Sequence, residues 1–257
     1  MSVILPGDSL PLQEVLPPKS SPTIQLGPGL LHVPPSTIVP IRSGILRSNP
    51  TSRSTTLYLD SVPSSSGRYI PALHDVVIGT VHSRFGDQES QFYRISLPNC
   101  SSPIAILPST AFANAASRKN RPNLIPGATV YGRISFASPR SITEPELACF
   151  DERSGLDGGF GELKGGMLAD IPISLARSLL LPRSSKSKQM KIQESVVDII
   201  GKSVPFEIAL GRNGRMWVDS DSIQATVAII TAIKQTENMT IEQTRQKVGE
   251  ILATIKR

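Results

Sequence analysis

Cysteine, histidine and long apolar runs are scarce in this chain of 257 residues, and each shortage excludes a class of protein. Two cysteines, Cys100 and Cys149, neither in a C-x-x-C pair, exclude a disulfide framework and favour a reducing compartment. No apolar run approaches the roughly 18 residues that a membrane span needs. The first residues have no basic region followed by a hydrophobic core, so a secretory signal is not expected. We therefore expect a soluble intracellular protein.

Catalytic patterns are also missing. The three histidines, His32, His74 and His82, have no acidic residue at metal-ligand spacing, and there is no H-E-x-x-H pattern. Cys100 follows Pro-Asn in a predicted turn, where nothing marks it as an activated nucleophile. These features favour a binding protein over an enzyme.

Glycine is concentrated in residues 151–166, which contain six glycines. The stretch lacks the G-x-x-x-x-G-K-[ST] pattern and a G-x-G-x-x-G between strand and helix, so we interpret it as a connector. Its acids Asp151, Glu152 and Asp157 could hold a divalent metal for phosphodiester hydrolysis. Because they lie in a flexible connector and not at the ends of a rigid sheet, we expect no catalytic residue, no metal and no cofactor.

Positive charge is in excess and unevenly placed. Lys and Arg number 27 against 21 Asp and Glu, a net charge of +6. Residues 71–140 hold seven Arg or Lys and only three acids. This distribution fits a polyanion partner, but a solvated surface that keeps the protein soluble would have the same composition.

Strand-like segments dominate the first two-thirds of the chain and predict two β-domains. Residues 1–67 contain short apolar pieces between turn clusters, with mobile loops expected at 16–22 and 48–54. Residues 68–153 contain short, regularly spaced candidate strands, which suit a sandwich or a small closed barrel of the OB type, and we favour the barrel. These candidate strands are 76–81, 91–97, 104–107, 129–136 and 147–150. The fold class is therefore multidomain and mainly β, with an α/β C-terminal part.

Residues 154–257 have mixed α/β patterning. Helical stripes include Ile223, Val227, Ile230 and Ile233, which we assign to a core. The basic stretch 183–191 is either a disordered loop or a loose phosphate contact. The tetrapeptide from Gly211 to Gly214 matches the G-x-x-G loop with which KH modules clamp a nucleic-acid backbone. Its strand-like flanks favour instead a hairpin turn with both Asn213 and Gly214 at positive φ.

The predicted barrel supplies the candidate RNA-binding residues. OB barrels bind single-stranded nucleic acid with cationic grooves and exposed aromatic rings. The loop between the third and fourth barrel strands offers three cations and no acid, and the rest of the barrel offers three more cations and one aromatic ring. These residues are Arg118, Lys119 and Arg121 in the loop, Arg84, Arg94 and Arg133 elsewhere in the barrel, and Tyr93 as a stacking platform.

Short segments along nearly the whole chain resemble the cap subunits of the eukaryotic RNA exosome, in the same order. They include Leu5-Pro-Gly-Asp, Arg68-Tyr-Ile-Pro, Asp75-Val-Val-Ile-Gly-Thr-Val, Val130-Tyr-Gly-Arg and Gly211-Arg-Asn-Gly-Arg-Met-Trp. The resemblance implies an N-terminal β-domain (1–67), an OB barrel of the type found in ribosomal protein S1 (68–153) and a KH-type domain (154–257). It also implies that Gly211, Asn213, Gly214 and Trp217 form a structural turn at a domain junction.

The same resemblance implies a non-catalytic subunit that stabilises a ring of RNase PH-like proteins beside other cap subunits. Such a subunit guides single-stranded RNA to a separate exoribonuclease, in the nucleus, the nucleolus and the cytoplasm. The residues leave a second function open, a free-standing RNA-binding regulator such as a translation factor. One departure from the family is His74, which stands before Asp75 where a glycine is usual.

Overall fold

A computed structural model describes residues 3–11, 23–27, 29–50, 54–61, 68–87, 91–115, 117, 121–137, 143–180, 196–236, 239 and 241–255. The chain divides into two compact units, residues 1–67 and 68–257. Within the described ranges no helix is long and apolar enough to cross a membrane.

The N-terminal unit consists of two small sheets. The first has the order β1-β6-β7-β3 and the second the order β2-β5-β4. Their strands are β1 (Val3–Ile4), β2 (Leu10–Pro11), β3 (Thr23–Leu26), β4 (Leu30–Val33), β5 (Thr37–Pro40), β6 (Gly44–Pro50) and β7 (Ser54–Ser61). Leu30, Ile38, Leu57 and Leu59 form the shared core. Burial of apolar side chains from both sheets is what holds so small a unit together.

The prediction of a mobile loop at 48–54 in this unit is wrong in part. Residues 48–50 belong to β6, because Asn49 pairs with Thr56 and Pro50 pairs with Thr55 on β7. Cross-strand pairing outweighs the Pro and Ser content that suggested a loop. The predicted loop 16–22 and the basic stretch 183–191 lie outside the described residues.

The second unit begins with a closed five-stranded barrel, which confirms the predicted OB-type fold. The strand order is β12-β10-β9-β8-β11-β13, and β12 also pairs with β11 and closes the barrel. The five barrel strands are β8 (Val76–Gly86), β9 (Gln91–Ser96), β10 (Ile104–Pro108), β11 (Thr129–Phe136) and β12 (Glu146–Ala148). The sixth strand, β13 (Gly161–Leu163), pairs with β11. Alternation along β9 points Tyr93 and Ile95 into the core and Phe92 and Arg94 outward.

Close packing of the neighbouring side chains explains why a glycine, Gly79, lies inside β8. A Cβ on Gly79 would overlap Cγ2 of Ile95 and come within 3.0 Å of Leu97 Cδ2. The register shift between β8 and β9 lies between Val81 and Ser83, so the glycine does not mark the bulge. It allows β8 and β9 to approach closely at the barrel core.

The last part of the second unit is a three-stranded sheet covered by helices. The sheet has the order β14-β16-β15, from β14 (Met167–Asp170), β15 (Phe206–Gly211) and β16 (Arg215–Ser220). The helices are α1 (Ile173–Leu180), α2 (Val196–Gly201), α3 (Ile223–Gln235) and α4 (Ile241–Ile255). Helix α3 starts at Ser222, whose Oγ accepts a hydrogen bond from the N–H of Ala225 at 3.1 Å.

The core between this sheet and its helices differs from the predicted stripe. Ile229 and Ile233 are fully buried, and Ile230 is nearly so. Ile223 is 78% exposed and Val227 is 44% exposed, so the assignment of these two residues to the core is wrong. Residues of the buried face, such as Ala225, Thr226 and Ala232, are smaller or more polar, which hid the true inner face from a hydrophobicity pattern.

Candidate nucleic-acid interface

The outward face of the β8–β9 hairpin carries two aromatic rings and a cation. Phe85 and Phe92 are directly opposite in the register, and their rings stack with centroids 5.5 Å apart and planes 22° apart. The guanidinium carbon of Arg94 lies 4.9 Å from the centroid of Phe85, within cation–π range. We call Phe85, Phe92 and Arg94 the hairpin surface. Partly exposed aromatic rings next to a cation are the features with which OB barrels stack and hold single-stranded bases.

Tyr93 does not belong to this surface. Its side chain is fully buried, and its hydroxyl donates a hydrogen bond to the carbonyl of Pro122 at 2.7 Å. The same hydroxyl accepts from the N–H of Leu124 at 3.4 Å. The prediction that Tyr93 is a stacking platform is therefore wrong, because strand alternation directs the ring inward. The aromatic rings on the outward face are those of its neighbour Phe92 and the cross-strand Phe85, which the sequence interpretation missed.

The buried tyrosine has an indirect effect on the predicted cations. By holding the backbone at Pro122 and Leu124 it fixes the end of the basic loop against the barrel. Arg121 directly precedes Pro122, and its Nε–H donates a hydrogen bond to the carbonyl of Ala115 at 3.3 Å. Exposed Arg84 reaches the same segment, with Nη1 2.8 Å from Oδ1 of Asn123.

Arg84 and Arg121 thus lie at the hairpin end of the barrel, where β8 ends and β9 begins. Arg94 is exposed on the hairpin surface itself. Arg118 and Lys119 lie outside the described residues, so their contact with RNA stays a prediction.

Arg133 has a different environment. Its Nη1 lies 2.6 Å from Oε2 of Glu152 and 2.7 Å from Nδ1 of His74, and its side chain is only 12% exposed. The pairing joins β11 to the glycine-rich connector. The guanidinium of Arg133 is therefore engaged by a carboxylate and only slightly exposed, and its contact with RNA stays a prediction.

His74, at the position where the family resemblance predicts a glycine, adopts the conformation that glycine favours. Its φ is 66°, and its N–H donates to the carbonyl of Ile134 at 2.9 Å. The turn therefore has a histidine in the left-handed region. Its imidazole gains the contact with Arg133, which a glycine would not make.

The loop from Gly211 to Arg215 is built into the junction between the barrel and the α/β sheet. Fully buried Asn213 accepts from the N–H of Ile78 at 3.2 Å and donates to the carbonyl of Ile78 at 2.8 Å. The N–H of Arg212 donates to the carbonyl of Val76 at 2.8 Å. Strand β9 pairs with β8 only from Thr80 onward. The loop therefore supplies hydrogen-bond partners for the backbone groups of β8 that β9 leaves unpaired. A loop in this position is not exposed for clamping RNA.

The turn type also differs from the predicted one. Gly214 has φ of 74°, whereas Asn213 is not among the residues at positive φ. The N–H of Gly214 donates to the carbonyl of Gly211 at 3.1 Å, and Gly211 pairs with Arg215. The connection therefore has three residues, a turn followed by one left-handed glycine, and not a two-residue turn.

Charged and aromatic side chains reinforce the junction. Nη1 of Arg212 lies 2.9 Å from Oδ1 of Asp75, while the hydroxyl of Tyr69 donates to Oδ2 of Asp75 at 2.8 Å. The indole N–H of Trp217 donates to the carbonyl of Gly165 at 3.0 Å, and its ring packs with Ile78. Burial and the bond to Asp75 raise the pKa of Tyr69 well above its usual range, so the hydroxyl stays a donor.

The acidic residues and the two cysteines were also considered as candidates for catalysis. No group of three or more metal-ligating side chains occurs among them, and Asp151 instead accepts hydrogen bonds from Ser154 and Arg153 within its own loop. Burial raises the pKa of the Cys149 thiol to about 12 and raises that of Cys100. Both thiols are therefore neutral and unreactive near neutral pH.

Comparison with known proteins agrees with this architecture. Family models match residues 24–68 ("Exosome complex exonuclease Rrp40 N-terminal domain"), 69–161 ("Exosome complex component RRP40, S1 domain") and 166–224 ("KH domain"). A crystal structure described as an exosome complex RNA-binding protein superimposes with a TM-score of 0.51 at 20% identity, covering 74% of this chain and 99% of that chain. At that identity the likeness shows the fold alone.

Full-length relatives are more similar in sequence. The exosome complex component rrp40 of Schizosaccharomyces pombe is 38% identical over 247 residues, covering 95% of this chain and 91% of the relative. The RRP40 component of Saccharomyces cerevisiae is 36% identical, covering 90% of this chain and 87% of the relative. The human RRP40 component is 31% identical, covering 72% of this chain and 60% of the relative. With an N-terminal domain, an S1 barrel and a KH domain in the family's order, this chain belongs to the RRP40 family of exosome complex components.

Proposed function

We propose that this chain is a non-catalytic cap subunit that stabilises an RNase PH-like ring and guides single-stranded RNA towards a separate three-prime to five-prime exoribonuclease. The observation that carries the RNA part is the hairpin surface, with Phe85 and Phe92 stacked and Arg94 beside them. The relatives' names favour this over a free-standing RNA-binding regulator such as a translation factor. By the same resemblance we propose the nucleus, the nucleolus and the cytoplasm as its compartments.

The chemistry of the hairpin surface suits an RNA that must keep moving. Stacking on an aromatic ring is available to every base, and guanidinium contacts to phosphate do not depend on sequence. Arg84 and Arg121 add positive charge at the same end of the barrel. A path lined in this way would hold RNA without selecting among sequences.

The scaffold role rests on the junction between the S1 and KH domains. A KH domain whose G-x-N-G loop is buried against β8 supports the barrel and does not clamp RNA by that loop. The proposed partners are the ring subunits and the other cap subunits. Because no reactive thiol and no metal-ligand group occurs in the described part of the chain, we assign hydrolysis to a partner.

RNA binding tests the first part of the proposal. We would measure the affinity of the full chain for several unrelated single-stranded RNAs at a series of salt concentrations. The variant with Phe85→Ala and Phe92→Ala should bind all of them more weakly, by about 1–3 kcal/mol per lost stacking contact. Arg177→Ala, at an exposed position on α1, is the matched control. Equal affinity of the double variant and the wild type would reject the hairpin surface as the RNA path.

Reconstitution tests the scaffold role separately. Purified ring subunits mixed with this chain should elute as one stoichiometric assembly after nuclease treatment, and the isolated chain should leave labelled RNA intact. Failure to join the ring, with RNA binding retained, would favour a free-standing RNA-binding protein.

A further inference from the structure

The exposed start of helix α3 is unusual for a helix in contact with water. Ile223 is 78% exposed and Val227, one turn further on, is 44% exposed. No charged residue occurs in the helix before Lys234. Surface helices normally carry charged side chains opposite their buried face, so an uncharged outer face with two exposed β-branched residues indicates a protein contact.

Carboxylates surround a cavity immediately before this helix. The cavity has a volume of about 370 Å³ and is lined by Pro205, Phe206, Glu207, Asp219, Ser220 and Asp221. Glu207 and Asp219 are direct cross-strand neighbours on β15 and β16. Like charges in this position destabilise a sheet.

Interactions within the described residues do not offset that repulsion. No ion pair there involves Glu207, Asp219 or Asp221, and Asp219 only accepts a bond from the N–H of adjacent Ser220 at 3.1 Å. The positive end of the α3 dipole stabilises the negative charge of Asp221, which lies just before the helix. It does not account for Glu207, which lies on another strand. The acidic charge of this cavity contrasts with the net charge of +6 on the chain as a whole.

We propose that the start of α3 and this acidic cavity form a docking surface for a basic amphipathic segment of a partner protein. Apolar side chains of the segment would cover Ile223 and Val227, and its Lys or Arg side chains would neutralise Glu207, Asp219 and Asp221. The acids would repel the phosphates of RNA, so the surface is complementary to a protein and not to the nucleic acid. The proposal does not depend on the RNA-binding function of the barrel.

A peptide of defined composition tests the chemistry of this surface. The probe is a synthetic amphipathic helix of leucine and lysine, and the control is the same pattern in leucine and glutamate. With the full chain labelled for NMR, the lysine peptide should shift the amide resonances of residues 205–207 and 219–227 in a saturable way. The glutamate peptide and oligouridylate should leave these resonances unchanged.

Two variants separate the apolar and the charged contributions. Ile223→Asn, and Glu207→Gln combined with Asp219→Asn, should each weaken binding of the lysine peptide about tenfold, as for a residue central to an interface. Leu156→Asn, at another apolar side chain that is 59% exposed, is the control and should bind like the wild type. Unchanged far-ultraviolet circular dichroism would show that the variants are folded.

Several outcomes would overturn the proposal. Equal binding of the lysine and glutamate peptides would mean that the surface binds apolar side chains without regard to charge. Binding of the lysine peptide by the variants as tightly as by the wild type would place the contact elsewhere. Displacement of the lysine peptide by oligouridylate would assign the surface to RNA. Concentration-dependent dimerisation that Ile223→Asn abolishes would make a second copy the occupant.

Discussion

The side-chain amide of Asn213 forms hydrogen bonds with both backbone groups of Ile78, 135 residues earlier in the chain. In this way one side chain replaces the neighbouring strand that β8 lacks at that point. Both partners are fully buried, so water is not available as a substitute.

Asn213→Ala should destabilise the unit of residues 68–257 by about 2–4 kcal/mol, because it leaves a buried N–H and a buried carbonyl without partners. Trp217, the chain's only tryptophan, packs at this junction, so its fluorescence during urea unfolding would report the loss. Asn123→Ala, at a residue that pairs with exposed Arg84, should change stability by much less. An equal effect of the two substitutions would contradict this account of the junction.

Gly211→Ala should be among the most destabilising glycine substitutions. Its Cβ would overlap Oδ1 of Asn213 and come within 2.8 Å of the N of Ile78, so the junction would have to separate. Gly249→Ala is the matched control, since its Cβ meets nothing within 4 Å in helix α4. There the substitution should stabilise by about 0.5–1 kcal/mol, through helix propensity. Thermal unfolding of both variants should therefore move in opposite directions.

Replacement of His74 should reveal the energy of its backbone conformation. At φ of 66° alanine is strained and glycine is not. His74→Gly should therefore be more stable than His74→Ala by about 1 kcal/mol, although both lose the contact with Arg133. Urea titration of the two variants measures this difference directly. A less stable glycine variant would mean that the turn relaxes on substitution.

Alkaline pH should destabilise the barrel through Cys149. Because burial raises the pKa of this thiol from 9.0 to about 12, the folded state holds the proton that the unfolded state releases. The contribution of the protonated Cys149 thiol to the free energy of unfolding is fully present below pH 9 and is lost as pH rises towards 12. The loss from this group approaches about 1.4 kcal/mol per pH unit. Cys149→Ala should be less stable at neutral pH, but its unfolding free energy should fall less steeply over this range.

Local patterns were sufficient for the barrel but not for all of its site. Five short strands with regular turns predict a closed barrel, and the structure confirms it. The alternation that places Tyr93 and Ile95 inside and Phe92 and Arg94 outside is also visible in the sequence. The outward position of Phe92 could therefore have been predicted, because its ring lies on the same face of the strand as a cation.

Other features could not be predicted from local sequence. Arg133 meets Glu152 only because the connector folds back on β11, a contact that strand patterns do not encode. The exposed side of α3 was hidden for a different reason. Its apolar residues run around more than one face, so the pattern could not show which face is buried.

The bond between Asn213 and Ile78 also has a consequence for biosynthesis. When the segment of Ile78 leaves the ribosome, its N–H and carbonyl can bond only to water until their partner residue 213 follows, 135 residues later. At translation rates of about 5–20 residues per second, that delay is on the order of ten seconds. During this time the first barrel strand exposes an unpaired edge that other nascent chains or a chaperone could bind. We therefore expect the barrel to reach its full stability only after the KH hairpin has been made.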